Sequence, residues 1–376
     1  MSDLPRLDPG FSTSAMRSVF STAATVGAIL EFEMALALAL ADAGVAPEDE
    51  SLSLVAACRE PVADSEAILA ETWMSGTPII SLRDEISARV DESVGRWFHY
   101  GATTQDAIDT GLMLQSVRGL ELIERDLVAL GARLRDLTVE FRDQPQVGRT
   151  FLQTSRPTTF GLRTSWWLNS VLDHHQGLRD LGAGLPVQLG GADGRRSVFG
   201  NRGSQVVSHL ADRLGLAPSA VTWHSDRTVI LALVQSLERV AKTMAKIGGD
   251  IAILASSAVA EVSVRSGGSS SMPGKENPMD SVRAIAAASA CSGAVTMLTG
   301  APPPELDRGI GSWHVEWLAV PLAFGATAAA VEAMRGCLHS LEVDSEAMGS
   351  HVVGEVTPGG DDQIDAVLTR AGSILT

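Results

Sequence analysis

The chain has 376 residues, of which 45% are hydrophobic, so it can bury a large core in one to three domains and is not expected to be disordered. Acidic residues outnumber basic residues by 45 to 29, and the formal net charge of −16 argues against nucleic acid or an anionic membrane as a partner. The cysteines are too few for a disulfide framework and lack metal-site spacing, so we expect reduced thiols in the cytoplasm at Cys58, Cys291 and Cys337.

The N-terminal region begins with MSDLPRLDPG, whose prolines and acidic residues leave no apolar centre, so no signal peptide is predicted. Residues 26–43 form the most apolar early run. Glu31, Glu33 and Asp42 interrupt it, which predicts a buried helix rather than a membrane span. Gly44 is a typical residue at which such a helix ends.

Two later segments predict long helices, because apolar residues recur along each at alternating steps of three and four. The first seam is Leu120, Ile123, Leu127, Leu130, Leu134, Leu137 and Phe141; the second is Ile230, Leu233, Leu237, Val240, Met244, Ile247, Ile251 and Leu254. Helices of roughly 30 residues, or about 45 Å, need long partners, so we predict a bundle. Its other helices are expected at residues 160–181, 281–299 and 314–341. A coiled-coil rod is the alternative, and the polar, glycine-rich connectors of both helices argue against it.

Composition divides the chain into three parts. Shorter helices and proline-bearing turns predict an N-terminal helical domain over residues 1–107, and the long-helix bundle follows over residues 108–341. The tail, residues 342–376, is rich in glycine and ends in a short amphipathic stretch. We expect a poorly ordered link there with at most one small helix.

A glycine- and serine-rich loop, GGSSSMPGKENP at residues 267–278, contains one lysine and one asparagine and precedes a predicted helix. Such a loop suits a lid that closes over a ligand, although composition alone also fits a surface linker. The loop resembles the signature of the fumarase/aspartase superfamily, GSSxMPxKxNP, at every fixed position from Gly268 to Pro278. The resemblance implies an all-α enzyme built on a long-helix bundle.

By this resemblance the loop carries the catalytic base. Ser269 would remove a proton α to a substrate carboxylate, and Ser270 would contact the substrate. Lys275 and Asn277 would hold and polarise the carboxylate, because proton removal builds a second negative charge that a fixed ammonium and amide stabilise. The serine would need a strongly lowered pKa, to which helix N-termini and the lysine can contribute.

The segment HYGATTQDAIDT, residues 99–110, opens the first long helix, and its threonines and aspartates by themselves predict an N-cap region. It also resembles the GATSQDxxDT segment of the superfamily. The resemblance implies that Asp106 and Asp109 fix the loop and that three neighbours contact a substrate carboxylate: Thr103, Thr104 and Gln105.

A third segment, GRTFLQTSRPTTFG at residues 148–161, resembles the superfamily's GRTHxQxAxP, which implies that Thr150 and Gln153 bind substrate. Phe151 stands where most members have a histidine, often described as the general acid or its helper. A phenylalanine ring cannot transfer a proton. The substitution therefore puts in doubt any reaction whose leaving group must be protonated as it departs.

Further motifs resemble the 3-carboxy-cis,cis-muconate cycloisomerase branch, which acts in aromatic degradation. They are SAMRSVFS, LEFE, WHSDR and DRGIGSWHVEW, at residues 14–21, 30–33, 223–227 and 307–317. This resemblance implies that Arg227 and Arg308 bind substrate, and that the usual third helical domain is truncated. Branch members commonly have Arg-Asp-Arg where Arg227 is followed by Thr228 and Val229, so one cationic contact would be lost.

The histidine missing at position 151 separates the superfamily's reactions by their leaving groups. Hydroxide and most amines leave poorly without an acid, whereas carboxylate and nitrite leave as weakly basic anions. Phe151 thus argues against fumarase, aspartase, argininosuccinate lyase and adenylosuccinate lyase activities. A cycloisomerase-type reaction, which expels a carboxylate, ranks first. Elimination of nitrite from nitrosuccinate to give fumarate follows by a small margin, and a catalytically silent structural homologue is a third alternative.

Three of the eight histidines, namely His99, His224 and His314, lie inside family-like motifs and are candidates to replace the missing acid. The others are expected to be surface or core residues of helices: His174, His175, His209, His339 and His351. Neither a cofactor nor a metal is implied, because proton abstraction and expulsion of the leaving group require no redox step.

The resemblance also implies a homotetramer with a central twenty-helix bundle, to which each chain contributes five long helices. The regions of Thr103, Gln153 and Ser269 lie near the ends of long antiparallel helices. We therefore expect them to converge from different subunits on small dicarboxylate or tricarboxylate substrates.

Overall fold

A computed structural model of the chain describes residues 8–264, 267–268, 270–272, 274–356 and 359–375. Before the bundle lie α1 Ser14–Val19, α2 Thr22–Asp42, α3 Glu48–Arg59, α4 Ser65–Ser75, α5 Ile79–Ser87 and α6 Glu92–Gly95. The long helices are α7 Thr104–Glu140, α8 Phe160–Ala183, α10 Thr228–Leu254, α11 Met279–Gly300 and α12 Ser312–His339. Shorter helices are α9 Gly203–Leu214, α13 Ser345–Ser350 and α14 Asp361–Ile374. Two antiparallel pairs join β1 Pro145–Thr150 to β2 Gln153–Thr159, and β3 Val262–Ser263 to β4 Glu342–Val343.

Both predicted seams are buried. On α7 the seam side chains from Leu120 to Leu137 are at most 1% exposed, and on α10 those from Ile230 to Leu254 are at most 3% exposed. α8 packs along α7, while α10, α11 and α12 pack against one another. The predicted bundle of five long helices is confirmed, and the chain does not form a rod.

The early apolar run forms α2, which is buried in the fold as predicted. Ser21 caps the helix by accepting from the Ala24 N–H at 3.2 Å, and Gly44 follows its end with φ of 66°. The Glu33 side chain is buried in its middle. α2 packs directly along α7 and α9, and the division of the chain at residue 107 stays a prediction.

Among the described residues, three helices are long and apolar enough to cross a membrane, by length and composition alone: α2, α11 and α12. Within the fold, 61% of the most apolar window is buried for α2 and 72% for α12, but only 33% for α11. Val282 and Ile285 of α11 are 49% and 41% exposed. α11 therefore presents an apolar face that a single chain leaves uncovered.

The tail departs from the prediction of a loose link with at most one helix, because it forms two helices and a strand. β4 pairs with β3, and the buried Ile364 and Ala371 of α14 face the core. Arg142 donates to Asp365 at 2.7 Å, which fixes α14 at the end of α7. The amphipathic pattern was visible in the sequence, but the groove between α7 and α8 that accepts this helix was not.

All three cysteines are free thiols in the core. Burial raises the pKa of Cys58 to about 12, and it raises the pKa values of Cys291 and Cys337 to about 11. Protonated, buried thiols are poor nucleophiles, so these side chains contribute to packing rather than to chemistry.

Candidate active site

α7 begins at a polar loop that carries several predicted site residues. Thr103 is the N-cap, and its backbone N–H donates to the Asp106 carboxylate at 2.9 Å. Arg308, from the loop before α12, donates to the Thr103 hydroxyl at 2.9 Å. The fold thus brings together two predicted carboxylate ligands, Thr103 and Arg308. A guanidinium beside the N-terminus of a long helix favours an anion, because the cation and the helix dipole act in the same direction.

Asp106 holds this loop in place, as predicted. Its buried carboxylate accepts from the backbone N–H groups of Gly190 and Gly191, both at 2.9 Å, and lies 2.7 Å from His224 Nε2. Two glycines allow the backbone to approach this closely, since a Cβ at Gly191 would lie 2.7 Å from the Gly101 carbonyl oxygen.

Arg227 is buried between Asp109 and Glu316 and does not face an open site. Its Nη1 and Nη2 donate to the Asp109 carboxylate at 2.8 and 2.9 Å. Its Nε and Nη2 donate to the Glu316 carboxylate at 2.9 and 2.5 Å. Nη1 also donates to the Trp223 carbonyl. Burial acts to lower the pKa of Arg227, but the two carboxylates outweigh it and raise that pKa. A guanidinium has five N–H donors, and all five are used here. The prediction that Arg227 contacts substrate is wrong for this arrangement, in which Arg227 holds the starts of α7, α10 and α12 together.

The side chains of His224 and Gln105 are also buried, behind the loop at the start of α7. The His224 side chain is buried with Nε2 committed to Asp106, so it does not reach a substrate as an acid. Gln105 is fully buried, and its amide donates to the His224 carbonyl at 2.9 Å. Within the described part of the chain its Oε1 has no partner, and an acceptor atom does not bind a carboxylate. The predicted substrate contact of Gln105 is therefore not supported, because its donor side points into the protein.

His99, a second candidate acid, also has a carboxylate partner, but it holds that partner through Nδ1. Its Nδ1 lies 2.6 Å from Glu33 Oε1, and its backbone N–H donates to Glu33 Oε2 at 2.8 Å. Burial acts to lower the pKa of His99, but the adjacent Glu33 outweighs it and raises the pKa. With Nδ1 turned to Glu33, Nε2 is the nitrogen that exchanges a proton. Glu33 was not predicted as a site residue, although a carboxylate within an apolar helix was a visible signal.

Thr104 and His314 lie at the same end of the bundle. The Thr104 hydroxyl donates to the Thr77 hydroxyl at 2.7 Å and is half-buried. His314 lies in an aromatic cluster, with ring centroids 5.1 Å from Trp313 and 4.7 Å from Trp317. Trp313 donates to Asp109 at 2.9 Å, so this cluster is attached to the same carboxylate that Arg227 binds.

The segment with Thr150 and Gln153 forms the β1–β2 hairpin, with Phe151 and Leu152 as its two turn residues. Both turn residues have positive φ, 52° and 61°, as a type I′ turn requires. Phe151 is 99% exposed and Leu152 is 68% exposed, and Thr150 and Gln153 are exposed as well. Phe151 therefore does not pack in the core of its own chain, because the hairpin projects away from the bundle.

The signature loop connects β3 to α11. The predicted base, Ser269, lies outside the described residues, while Ser270 and Lys275 are exposed. Asn277 closes the loop, since its backbone N–H donates to the Gly267 carbonyl at 3.1 Å and its side chain donates to the Gly268 carbonyl at 3.3 Å. The loop thus presents its ammonium group to solvent in a single chain.

The predicted site residues fall into two groups at opposite ends of α7. Thr103 and Arg308 lie at its start, whereas the hairpin follows its end. The signature loop lies at the hairpin end, because Glu261, just before it, accepts from Arg149 of β1. A helix of 37 residues is about 55 Å long at 1.5 Å per residue. One chain therefore does not bring the two groups together.

Within the described residues, no three His, Cys, Asp or Glu side chains are grouped so that they could hold a metal ion. The groups predicted to contact substrate at the two ends of α7 are cations, hydroxyls and amides. Such groups bind carboxylates directly.

A family model described as a lyase matches residues 10–292. The 3-carboxy-cis,cis-muconate cycloisomerase of Pseudomonas aeruginosa is 38% identical, over 93% of this chain and 78% of that protein. The nitrosuccinate lyase of Streptomyces davaonensis is 33% identical, over 97% of this chain and 83% of that protein. The crystal structure of 3-carboxy-cis,cis-muconate lactonizing enzyme from Pseudomonas putida matches with a TM-score of 0.84 at 34% identity, over 91% of this chain and 78% of that one. The chain therefore belongs to the fumarase/aspartase superfamily of lyases, in the group that contains the 3-carboxy-cis,cis-muconate cycloisomerases.

Proposed function

We propose that this enzyme abstracts a proton α to a carboxylate and expels, or in reverse adds, a β leaving group without a cofactor. Its substrate is a small dicarboxylate or tricarboxylate, and its reaction is most like that of 3-carboxy-cis,cis-muconate cycloisomerase, whose lactone opening expels a carboxylate. The observation that carries this proposal is Phe151, an apolar ring at the tip of the exposed hairpin where the superfamily commonly has an acid. A carboxylate leaves without protonation, so such a site suits it.

The site is shared between copies of the chain in this proposal. Thr103 and Arg308 lie about 55 Å of helix away from the hairpin and the signature loop, so a complete site needs at least two chains. The exposed apolar face of α11, with Val282 and Ile285, is a surface that further long helices would cover. A homotetramer with a central twenty-helix bundle and a shortened third domain satisfies both requirements.

Within that assembly each group has a defined task. Thr103, Thr104 and Arg308 at the start of α7 bind one substrate carboxylate, and Thr150 and Gln153 of a second chain approach from the hairpin. The loop of a third chain supplies the base, Ser269, together with its neighbours Ser270, Lys275 and Asn277. Lys275 stabilises the dianion that forms when the α proton is removed, since a fixed ammonium costs no reorganisation during the step.

Elimination of nitrite from nitrosuccinate is the second candidate. Nitrite is also a weakly basic anion and leaves without an acid, so Phe151 is as compatible with it as with lactone opening. The similarity to the nitrosuccinate lyase of Streptomyces davaonensis favours this candidate. Both reactions use the same base and carboxylate ligands and differ only in the leaving group.

There are two further alternatives: a catalytically silent homologue and an enzyme that uses His99 as its acid. A catalytically silent structural homologue would not need the signature set, so the presence of Ser269, Lys275 and Asn277 argues against it. Alternatively, His99 on Glu33 supplies the acid that position 151 lacks. In that case the enzyme would also expel amines or hydroxide.

An assay panel tests the proposal. The purified protein is offered carboxymuconolactone, nitrosuccinate, malate, aspartate and adenylosuccinate, and ultraviolet absorbance follows the new alkene. Turnover of carboxymuconolactone alone supports the first candidate, and turnover of nitrosuccinate alone supports the second. Efficient water or ammonia elimination would overturn both and favour His99, whereas turnover of none would favour the silent homologue.

The proposal includes a cytoplasmic location with neither a nucleic acid nor a membrane partner. Its supports are the net charge of −16 and the three free buried thiols.

A further inference from the structure

One buried carboxylate, that of Glu261, receives hydrogen bonds from two other segments of the chain. Its side chain is 0% exposed. Gln146 Nε2 donates to Oε2 at 2.9 Å, Arg149 Nη1 donates to the same oxygen at 3.1 Å, and Arg149 Nη2 donates to Oε1. His351 Nδ1 lies 2.9 Å from Oε1. Both oxygens are thus held by cationic or amide donors, which is the condition for burying a carboxylate.

The donors come from two segments of the chain, and Glu261 itself lies on a third. Gln146 and Arg149 lie on β1, the first strand of the hairpin that carries Phe151 and Gln153. Glu261 itself precedes β3, from which the chain enters the signature loop. His351 ends α13, at the beginning of the tail. A single side chain therefore touches the hairpin, the root of the signature loop and the tail.

Backbone contacts strengthen the same junction. The Glu261 N–H donates to the Leu254 carbonyl at the end of α10, at 2.9 Å, and the Asp344 N–H donates to the Glu261 carbonyl at 3.0 Å. Arg163 of α8 donates to Gln146 Oε1 at 2.6 Å, so the amide that reaches Glu261 is itself oriented. Burial acts to raise the pKa of Glu261, but hydrogen bonds from Arg149, His351 and Gln146 outweigh it and lower that pKa. Glu261 is thus held as an anion.

We infer that Glu261 is a positioning residue that sets the hairpin and the signature loop relative to one another, and that His351 makes the tail part of the same unit. This inference rests on the proposed function, in which the hairpin contributes Gln153 and the loop contributes Ser269 and Lys275. Removing one partner of a buried charge pair leaves the other uncompensated, so loss of the carboxylate frees Arg149 and both attached segments. In the proposed assembly these segments serve different active sites, which Glu261 would connect mechanically.

The test compares Glu261→Gln with a control at the same end of the bundle, Asp250→Asn. Asp250 accepts from Trp167 at 2.9 Å and pairs with Lys246, and among the described residues no hydrogen bond or ion pair joins it to the hairpin or the signature loop. In Glu261→Gln we expect hydrogen exchange to quicken in peptides over residues 144–154 and 262–278 and not in α10 or α11. We also expect kcat to fall by a factor on the order of 10 to 100, with KM changed less than about threefold. Asp250→Asn should change none of these quantities.

A second pair of variants keeps the inference testable even where Glu261→Gln does not fold. His351 is 37% exposed, so His351→Ala is not expected to unfold the chain. It should quicken exchange in both segments, and His351→Gln, whose amide can donate to the same oxygen, should restore most of the protection. Unchanged exchange in His351→Ala, or in a folded Glu261→Gln, would overturn the inference, as would an increase spread over the whole bundle. Exchange needs no substrate, so this result is independent of whether the proposed reaction is observed.

Discussion

At the scale of single residues, Phe151 connects the local backbone to the proposed chemistry. Its φ of 52° is set by a two-residue turn, and its ring is 99% exposed in one chain. The side chain is therefore free of constraints from its own fold, and only a substrate or a second chain can contact it. Its identity as phenylalanine bears on the reaction rather than on the stability of the hairpin.

Phe151→His tests whether residue 151 affects the reaction rather than the stability of the hairpin. We expect equal or lower turnover of a lactone or nitro substrate, because a carboxylate or nitrite leaving group gains nothing from an acid. Because the ring is exposed and at a positive φ that histidine tolerates well, we expect the free energy of unfolding of the isolated chain to change by no more than about 0.5 kcal/mol. Steady-state kinetics and denaturant unfolding measure both. A large gain in malate or aspartate elimination with no loss of native turnover would contradict the leaving-group argument.

The signature loop gives a second prediction at this scale. Ser269→Ala should abolish turnover with little change in melting temperature, because its described neighbours Gly268 and Ser270 are exposed and belong to no apolar seam. Lys275→Ala should lower kcat by about 10² to 10³, the loss typical for one donor to a developing anion. Ser256→Ala, at the end of α10, is the matched serine control. Near-normal kcat in Ser269→Ala would show that another base acts.

The His99–Glu33 pair predicts a pH dependence of stability. The pKa of His99 is raised above its ordinary value by Glu33, so the folded state holds the proton more tightly than the unfolded state. Its contribution is fully present below the unfolded pKa, near 6.5, and is lost as the pH rises through the higher folded pKa. Thermal melts of wild type and His99→Asn should therefore differ more at pH 6 than at pH 9. An equal difference at both values would show that the pair is not charged.

At the scale of elements, α14 shows how a short tail becomes part of the bundle. Ile364 is 2% exposed, and Arg370 pairs with Asp173 of α8 at 2.5 Å. Exposed ion pairs contribute little, so the buried face should supply most of the attachment. Trp166 of α8, which donates to Gln363 at 3.2 Å, reports on this contact.

Ile364→Ala should lower the free energy of unfolding by about 2 kcal/mol, since it removes buried methyl groups between α14 and α8. Thr369→Ala, on the exposed side of the same helix, should change it by less than about 0.5 kcal/mol. Urea unfolding followed by tryptophan fluorescence measures the two. Similar values for both variants would mean that α14 is not attached through its apolar face.

At the scale of the whole molecule, the position of the two groups of site residues predicts the assembly. Sedimentation should give four times the chain mass of 39.4 kDa. Arg308→Ala and Lys275→Ala should each lose most of their turnover, and a mixture reassembled from both should regain part of it, because some sites then combine two intact groups. A stable, active monomer, or no recovery in reassembled mixtures, would rule out shared sites.

Much of this molecule follows from contiguous sequence. The seams of α7 and α10 and the cap at Thr103 were predictable because helix period and capping are properties of neighbouring residues. The same holds for the superfamily, which the signature loop indicated and the relatives confirm.

The tertiary structure alone decided which polar residues face the site. Arg227 and Asp109 are 118 residues apart, as are His224 and Asp106, so no local pattern indicated that Arg227 and His224 are both paired with buried carboxylates. Glu261 likewise acquires its role only when β1, β3 and α13 meet. A buried charge must be paired, and its partners can come from segments that are distant in sequence. The spacing of neighbouring residues does not show which distant segments pack together.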